Sequence, residues 1–412
     1  MQIIIIGSGP AGCGASLFLS KNAVSHTIID KAIFPRDKVC GDGLAPKTVH
    51  ILKKWNPDIV EKMQALPQQF AGGWGGVVIA PNGKKLDIPI KKPEKDSLPP
   101  GFVSRRWDFD HFLTQQLDPE YANFVQGAEA KSIKRLEKGF EVSLLKAGKT
   151  EILYADILIA ADGDRSLVKK MLTPKPQNDA HFAAGIRAYY KGVKDLHPHN
   201  HIEFYFLNEV IPGYFWVFPL PDGRANVGVC MISAYVKQHK INIRETMLTA
   251  IAQHPELSKR FEDAEVEGKI VGWGLPLGSE PGPLSAEGLM LTGDAASLID
   301  PISGEGIGNA LYSGWLAAEA AIKAVQENKV SAAFFKENYD KRLFRCIGND
   351  LRLSYIFQRI CRFPWLINFI VGKAQRNKVF METMSCIFDD MAIRQKLYSP
   401  LFYLRLLVGF FR

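Results

Sequence analysis

The chain opens on four consecutive isoleucines, Ile3 to Ile6, followed at once by Gly7-Ser8-Gly9-Pro10-Ala11-Gly12. An unbroken β-branched run bounded by glycine reads as a strand buried on both faces, and the small and apolar residues after it predict a helix from about Ala11 to Ser20. A second strand, His26 to Ile29, follows and ends in Asp30. Strand, tight turn, helix and strand in that order open a βαβ unit. Farther along, residues 72–100 alternate apolar and polar positions around Pro81-Asn82-Gly83, the pattern of a hairpin, and residues 183–233 read as several more strands. Gly288 to Gly293 reads as another strand and turn, and Gly304, Gly306 and Gly308 precede a helix of small and apolar residues. From Phe334 to Arg412 the pattern is helical, interrupted by Pro364 and Pro400.

The glycines give this pattern a chemistry. Gly7 permits the turn, Gly9 lets the backbone approach a pyrophosphate, and Gly12 lets the helix pack closely on the strand, so the helix N-terminus faces the phosphates. Asp30 stands at the distance that suits a carboxylate accepting from a ribose 2′-hydroxyl. This fingerprint does not separate NAD from FAD, which share the adenosine diphosphate half. The distant segment points to FAD. Gly293-Asp294 places a carboxylate where a long, extended cofactor has hydroxyls, and Pro301, Gly304, Gly306 and Ile307 lead into a helix N-terminus that suits the N1 and C2 carbonyl region of a reduced flavin. The plainer alternative for Asp294 is a helix N-cap.

Gly7-x-Gly9-x-x-Gly12, Ala161-Asp162-Gly163-x-x-Ser166, and Gly293-Asp294 with Pro301 and Gly304-Glu305-Gly306 resemble the FAD-dependent hydroxylase, halogenase and reductase superfamily, the p-hydroxybenzoate hydroxylase-like flavoproteins. Phe34 to Leu44, Arg106-Trp107-Asp108-Phe109-Asp110 and Tyr214-Phe215-Trp216-Val217-Phe218-Pro219 are similar to elements of the geranylgeranyl reductase family. The resemblance implies an FAD site formed by Gly7, Gly9, Pro10, Ala11, Gly12, Asp30, Lys31, Arg36, Cys40, Gly41, Arg106, Asp162, Gly163, Gly293, Asp294, Pro301, Gly304, Gly306 and Ile307. It implies a substrate cavity lined by Gly41, Gly43, Tyr214, Trp216 and Phe218, with Cys40 and Tyr214 as candidate proton donors. The implied reaction reduces carbon–carbon double bonds of an isoprenoid or similar hydrophobic lipid, with hydride from a flavin reduced by NAD(P)H or another donor docking transiently. Two other readings stay open: an FAD monooxygenase or halogenase, and a flavoprotein electron carrier to quinone. Halogenases of the superfamily carry WxWxIP where this chain has Tyr214, Trp216, Phe218 and Pro219, which counts against halogenation.

The fold class expected is α/β, α+β overall. A Rossmann-like FAD-binding domain, discontinuous in sequence, comprises 1–71, 101–173 and 268–328. An antiparallel β-sheet substrate domain comprises 72–100 and 174–267, and a basic, apolar helical region comprises 329–412. With 47% hydrophobic and 23% charged residues, 412 residues suffice for two cores. Met1 runs straight into a strand, so we expect no signal peptide and a cytoplasmic protein. Six cysteines, at 13, 40, 230, 346, 361 and 386, show no CxxC pair, which fits free thiols in a reducing compartment.

Charge is concentrated at one end. Lys336 to Arg412 holds fourteen Lys and Arg against six Asp and Glu, a surplus equal to the formal +8 of the whole chain. Its apolar runs, Phe363 to Val371 and Leu401 to Arg412, fall short of the roughly 18–20 residues of a membrane span. Either they lie at an anionic membrane surface, giving peripheral association, or they cap the substrate domain. No nucleic-acid fold accompanies the charge, so no nucleic-acid partner is expected. His197-Pro198-His199-Asn200-His201 would place alternate imidazoles on one side of an extended segment, as for zinc or copper. With no carboxylate or cysteine fixed nearby by the sequence, we read it as a polar surface loop and expect no metal.

Overall fold

The isoleucine run forms the strand Ile3–Ile6 at the centre of a six-stranded sheet, in a computed structural model that describes residues 1–93, 97–173, 176–377 and 381. The sheet runs Ser285–Ala286, Leu289–Leu291, Ile157–Ala160, Ile3–Ile6, His26–Asp30, Ala122–Gln126, with every pairing parallel except at the short Ser285–Ala286 edge. Ile3–Ile6 is buried at all four positions, as a strand covered on both faces must be. A three-stranded antiparallel sheet, Ala128–Arg135, Phe140–Lys146 and Lys149–Ala155, follows the edge strand Ala122–Gln126 in sequence.

Two helices of this unit, Pro10–Lys21 and Ile307–Glu327, meet at glycines. A Cβ on Gly14 would lie 2.8 Å from the Leu311 carbonyl oxygen, and one on Gly314 would lie 2.1 Å from that of Ala11. Only glycine allows backbones this close. Phe18 stacks on Trp315 beside the crossing, with ring centroids 4.7 Å apart. The contact makes neighbours of the two glycine-rich segments, and a Cβ on Gly293 would lie 3.0 Å from that of Ala11.

The second sheet has seven strands in the order Glu265–Pro276, Phe182–Lys191, Arg224–Ile232, Gly213–Pro219, Ile202–Tyr205, Gly75–Ile79, Lys85–Pro89. It is antiparallel in the pairings from Phe182–Lys191 onward, except that Ile202–Tyr205 runs parallel to Gly75–Ile79. Gly75–Ile79 and Lys85–Pro89 are the expected hairpin, turning at Gly83 with φ +80°. On one face, Phe215, Val217, Val227 and Val229 form a core with Met247, Ala250, Leu257 and Phe261. The last four come from or adjoin helices Ile243–Gln253 and Pro255–Arg260, which the reading of 174–267 as sheet did not include. The strand Glu265–Pro276 was also not anticipated: its positions are exposed or half-buried until Pro276, so it carries no apolar alternation.

Contacts divide the chain into one unit of Met1–Lys38, Arg106–Asn178 and Leu275–Leu353, and another of Val39–Arg105, Asp179–Gly274 and Ser354–Arg412. The sequence-based boundaries lay at 71, 101, 173, 268 and 328. Residues 39–71, including Cys40, Gly41 and Gly43, thus cluster with the seven-stranded sheet, and the C-terminal helical stretch is shared between the units. The chain is helical from Ala332 to Ile360, through two wide turns at Lys336–Asp340 and Phe344–Gly348. Pro364 opens the helix Pro364–Ala374 at the position where no amide hydrogen is needed. That helix buries Ile367, Val371 and Ala374 against Val78, Leu86, Ile88 and Ile211, as the capping alternative requires. Pro400, Cys386 and the run Leu401 to Arg412 lie outside the described residues. Among the described residues no helix is long and apolar enough to cross a membrane.

Candidate cofactor and substrate sites

Each glycine of the opening loop has a distinct steric reason. Gly7 has φ +96°, and a Cβ there would lie 2.3 Å from the Ala161 carbonyl oxygen; one on Gly12 would lie 1.8 Å from that of Gly7. Polypeptide packing alone fixes both. Gly9 differs: a Cβ there would meet only the Arg36 and Arg106 guanidinium nitrogens, at 3.8 and 4.0 Å, which is ordinary contact. Among the described residues nothing forbids a side chain at Gly9, so the glycine leaves room for a ligand against the backbone. The adjoining helix presents Pro10 and Ala11 in a first turn with no acidic residue, and Gly9 leaves its N-terminus without a side-chain cap. Amide donors, positive dipole and two guanidinium groups border one cradle, which suits a pyrophosphate.

The guanidinium groups are held from beneath. Asp110, fully buried, accepts from Arg106 Nε and Nη2 at 2.6 Å each and from Arg36 Nη1 at 2.5 Å. Burial alone would push its carboxyl up, but Arg106 and Arg36 outweigh it and hold the carboxyl below the usual carboxylate range. Two cations on one anion leave a net positive charge beside Gly9. Asp110 is the member of this group that we did not single out as a site residue. Its position four residues after Arg106 on helix Arg106–Thr114 was the available signal.

Asp30 is half-buried and already engaged. Its Oδ2 accepts from the Ser8 amide at 2.8 Å and the Ser8 hydroxyl at 3.0 Å, and its Oδ1 accepts from the Ala32 amide at 2.8 Å. It shapes the glycine turn from the end of the neighbouring strand, in addition to any contact with a ribose. Lys31, next along, is exposed.

At the late segment, Asp294 Oδ2 accepts from Lys38 Nζ at 2.8 Å, and its side chain caps no helix. Gly293, with φ +55°, donates its amide to Ser313 Oγ at 2.9 Å. Pro301 sits in a turn whose Asp300 Oδ1 accepts from the Ile302 and Ser303 amides. Gly304 has φ +69° and Gly306 is the residue before the helix Ile307–Glu327; Gly308 falls inside its first turn, where the sequence reading had placed it outside. Glu305 Oε1 accepts from the Gly308 amide at 2.5 Å, a capping contact not foreseen from sequence. Asp162 Oδ2 accepts from the Leu167 amide at 2.9 Å, whereas its buried Oδ1 has no hydrogen-bond partner. Burial raises that carboxyl above its ordinary range. Gly163 follows with φ +81° and open space around its Cβ position. An unsatisfied buried acceptor beside an open turn suits a ligand hydroxyl, so the residues present fit an extended flavin dinucleotide.

In the other unit, strand alternation puts Tyr214, Trp216 and Phe218 on the sheet face opposite the core of Phe215 and Val217. Phe204 meets Tyr214 and Phe218 edge-on, at 5.0 and 5.2 Å between ring centroids. Gly41 and Gly43 border this wall: a Cβ on either would lie 3.2 or 3.4 Å from the Phe218 ring. Opposite Trp216, Gly228 makes room for the indole, since a Cβ there would lie 2.3 Å from the Trp216 ring.

A buried polar cluster fixes the wall, and sequence reasoning missed it. Asn226 Oδ1 accepts from Trp216 Nε1 at 2.9 Å, while its amide nitrogen donates to the Cys40 carbonyl at 2.7 Å and to Asp42 Oδ2 at 2.8 Å. Tyr189 Oη donates to the same Asp42 oxygen at 2.8 Å, and the Arg187 guanidinium lies 4.0 Å from the Tyr189 ring centre. Cross-strand register aligns Arg187 with Gly228 and Tyr189 with Asn226, so all lie on the aromatic face. Cys40 is half-buried; Cys230, opposite Tyr214, places a thiol on this face, and burial pushes it up to about 12. Among the described residues, the cysteines at 13, 40, 230, 346 and 361 form no disulfide.

Comparison with known proteins agrees with this geometry. The sequence profile of the FAD binding domain matches residues 1–315. A digeranylgeranylglycerophospholipid reductase from Methanosarcina mazei is 29% identical over 372 residues, covering 86% of this chain and 83% of the relative. A menaquinone reductase from Mycobacterium tuberculosis is 28% identical over 327 residues, covering 77% and 76%. In three dimensions, a geranylgeranyl bacteriochlorophyll reductase-like protein from Thermoplasma acidophilum shares the fold with a TM-score of 0.79 at 21% identity, over 99% of this chain and 98% of that one.

Proposed function

We propose, for a chain that belongs to the FAD binding domain family and is an FAD-dependent oxidoreductase, that it reduces carbon–carbon double bonds of a prenyl lipid. The observation that carries this reading is the run of apolar rings Phe204, Tyr214, Trp216 and Phe218 on one sheet face, with Trp216 held by Asn226. The names of the relatives support it: one is called for a geranylgeranyl lipid and the other for a quinone.

When bound, FAD supplies the hydride, replenished by NAD(P)H or another donor that docks transiently. The remaining work falls to the chain. The opening loop with Arg36 and Arg106 would hold the pyrophosphate, and Asp162 and Asp294 would accept from cofactor hydroxyls. The aromatic wall positions an alkene and keeps water away, and its ring faces stabilise positive charge developing on the carbon that has yet to gain a hydrogen. A proton from Tyr214 Oη or Cys40 Sγ completes the addition at that carbon, so each double bond gains one hydride and one proton. Tyr214→Phe with intact binding and full turnover would remove Tyr214 from that role.

Phe363 and Trp365, 53% and 65% exposed, follow the exposed Ile356, Arg359 and Arg362 within ten residues of sequence. Apolar rings with basic neighbours suit peripheral contact with an anionic membrane, where a prenyl substrate resides. The reading is tested by purifying the protein, confirming a yellow chromophore, and identifying co-purifying lipid by mass spectrometry. An elongated prenyl lipid is expected; a small hydroxylated aromatic would overturn the reading. The menaquinone reductase relative favours a second reading, electron transfer to a quinone, which flavin reoxidation by quinone without a hydrogenated chain would select.

A further inference from the structure

We propose that Asp87, His197 and His201 bind a divalent transition-metal ion of the zinc class, clipping the loop 197–201 to the edge strand of the seven-stranded sheet. The site lies within one unit and owes nothing to the flavin or the aromatic face. The sequence offers three histidines but does not fix a carboxylate against them. The fold supplies the carboxylate from elsewhere: Asp87 lies in the edge strand Lys85–Pro89, and its two oxygens face the two imidazoles. Asp87 Oδ1 lies 2.6 Å from His201 Nδ1, and Oδ2 lies 3.6 Å from His197 Nε2.

One ligand atom from each residue falls within 4.8 Å of the others, close enough to surround one ion after small side-chain rotations. The His197 and His201 rings stack, with centroids 3.7 Å apart and planes 13° from parallel. Each imidazole lone pair lies in its own ring plane, so ligation of one ion beside the carboxylate rotates the two rings out of this stack. His199 stands apart, 5.8 and 6.4 Å from the other two rings, so the expectation of three imidazoles sharing one side reduces to a pair.

The ligands differ in freedom in a way that suits capture of an ion from solvent. The His201 side chain is 3% exposed and packed against the backbone of Gly75, where a Cβ would lie 2.8 Å from its Nε2; that side of the ring is filled and Nδ1 is turned to Asp87. Asp87 is 57% exposed and gives the ion a way in. The loop backbone is tied to the sheet by Asn200 Nδ2 donating to the Gly72 carbonyl at 3.0 Å and by the Trp74 amide donating to that of His199 at 3.3 Å. Ligation through His197 Nε2 places that ring's proton on Nδ1, so the 3.2 Å contact Nδ1 accepts from the His199 amide gives way on binding. Two imidazoles and a carboxylate match zinc, nickel or copper better than calcium or magnesium, and leave a coordination position for water.

The test uses untagged, full-length, FAD-loaded protein titrated with Zn²⁺ and Ni²⁺ by calorimetry, with metal content measured after dialysis. One ion per chain is expected. Asp87→Asn and His197→Ala should each weaken binding at least about tenfold, since even outer-shell partners of metal ligands carry that much, and His199→Ala should not. Flavin content and far-UV circular dichroism should stay unchanged in all three. Co²⁺ gives a reading that needs no variant: d–d bands without sulfur-to-cobalt charge transfer. Absence of saturable one-to-one binding, binding undiminished in the Asp87→Asn/His197→Ala double variant, or a thiolate charge-transfer band would each overturn the proposal.

Discussion

Gly9→Ala separates the demands of the polypeptide from those of a ligand. Gly9 has φ −70° and ψ −174°, open to any residue, and its Cβ would approach nothing nearer than 3.8 Å. In FAD-free protein the substitution should therefore be within about 1 kcal/mol of neutral, the gain of about 0.4–1 kcal/mol through the lower entropy of the unfolded chain being offset by the poorer helix N-cap that alanine makes. Gly12→Ala places its Cβ 1.8 Å from a backbone oxygen and should destabilise by about 1–3 kcal/mol or more. Against a pyrophosphate seated on Gly9, the same methyl is overpacked by about 1–3 kcal/mol, which is a loss of about 5- to 150-fold in FAD affinity. Urea denaturation of apo-protein measures the first effect and quenching of FAD fluorescence the second. FAD binding by Gly9→Ala equal to wild type, or destabilisation of its apo form matching Gly12→Ala, would refute the assignment of this loop.

Removing Asp110 by Asp110→Ala leaves Arg106 buried and uncompensated, and denaturant midpoints should report a loss of about 3–5 kcal/mol. Because the Asp110 carboxyl is held below its ordinary value, its contribution is present above the unfolded value near about pH 4 and is lost as pH falls through the lower folded value; an acid titration of stability should steepen there in wild type and flatten in Asp110→Asn. Asn226→Leu breaks the bonds to Trp216, Cys40 and Asp42, and orphaned partners of this kind cost about 1–3 kcal/mol each. Steady-state kinetics should show a raised KM for the prenyl substrate with flavin content intact. Phe363→Ser with Trp365→Ser should reduce co-sedimentation with phosphatidylglycerol vesicles without altering FAD binding.

The opening βαβ unit is legible because a strand at the centre of a parallel sheet must be apolar throughout, and Ile3–Ile6 is. The wall of Tyr214, Trp216 and Phe218 is legible because strand alternation has a fixed period. What escaped reading depends on pairs far apart in sequence. Gly14 and Gly314 look like ordinary helix glycines until the helices cross, and Asp87 meets His201, 114 residues away in sequence, only because Lys85–Pro89 and Ile202–Tyr205 flank the same strand, Gly75–Ile79. Asp42, Tyr189 and Asn226 are polar residues that hydropathy assigns to the surface, and only the cross-strand register reveals them as one buried network. The strand Glu265–Pro276 has little buried apolar surface and so no periodic signal.

Prenyl reduction is measured most directly by mixing photoreduced enzyme, under strict exclusion of oxygen, with a geranylgeranyl lipid and following both flavin absorbance and product mass. Flavin reoxidation matched by a gain of two hydrogens per double bond is the predicted result. Flavin that stays reduced until air is admitted, with hydrogen peroxide or a hydroxylated product appearing then, would contradict it.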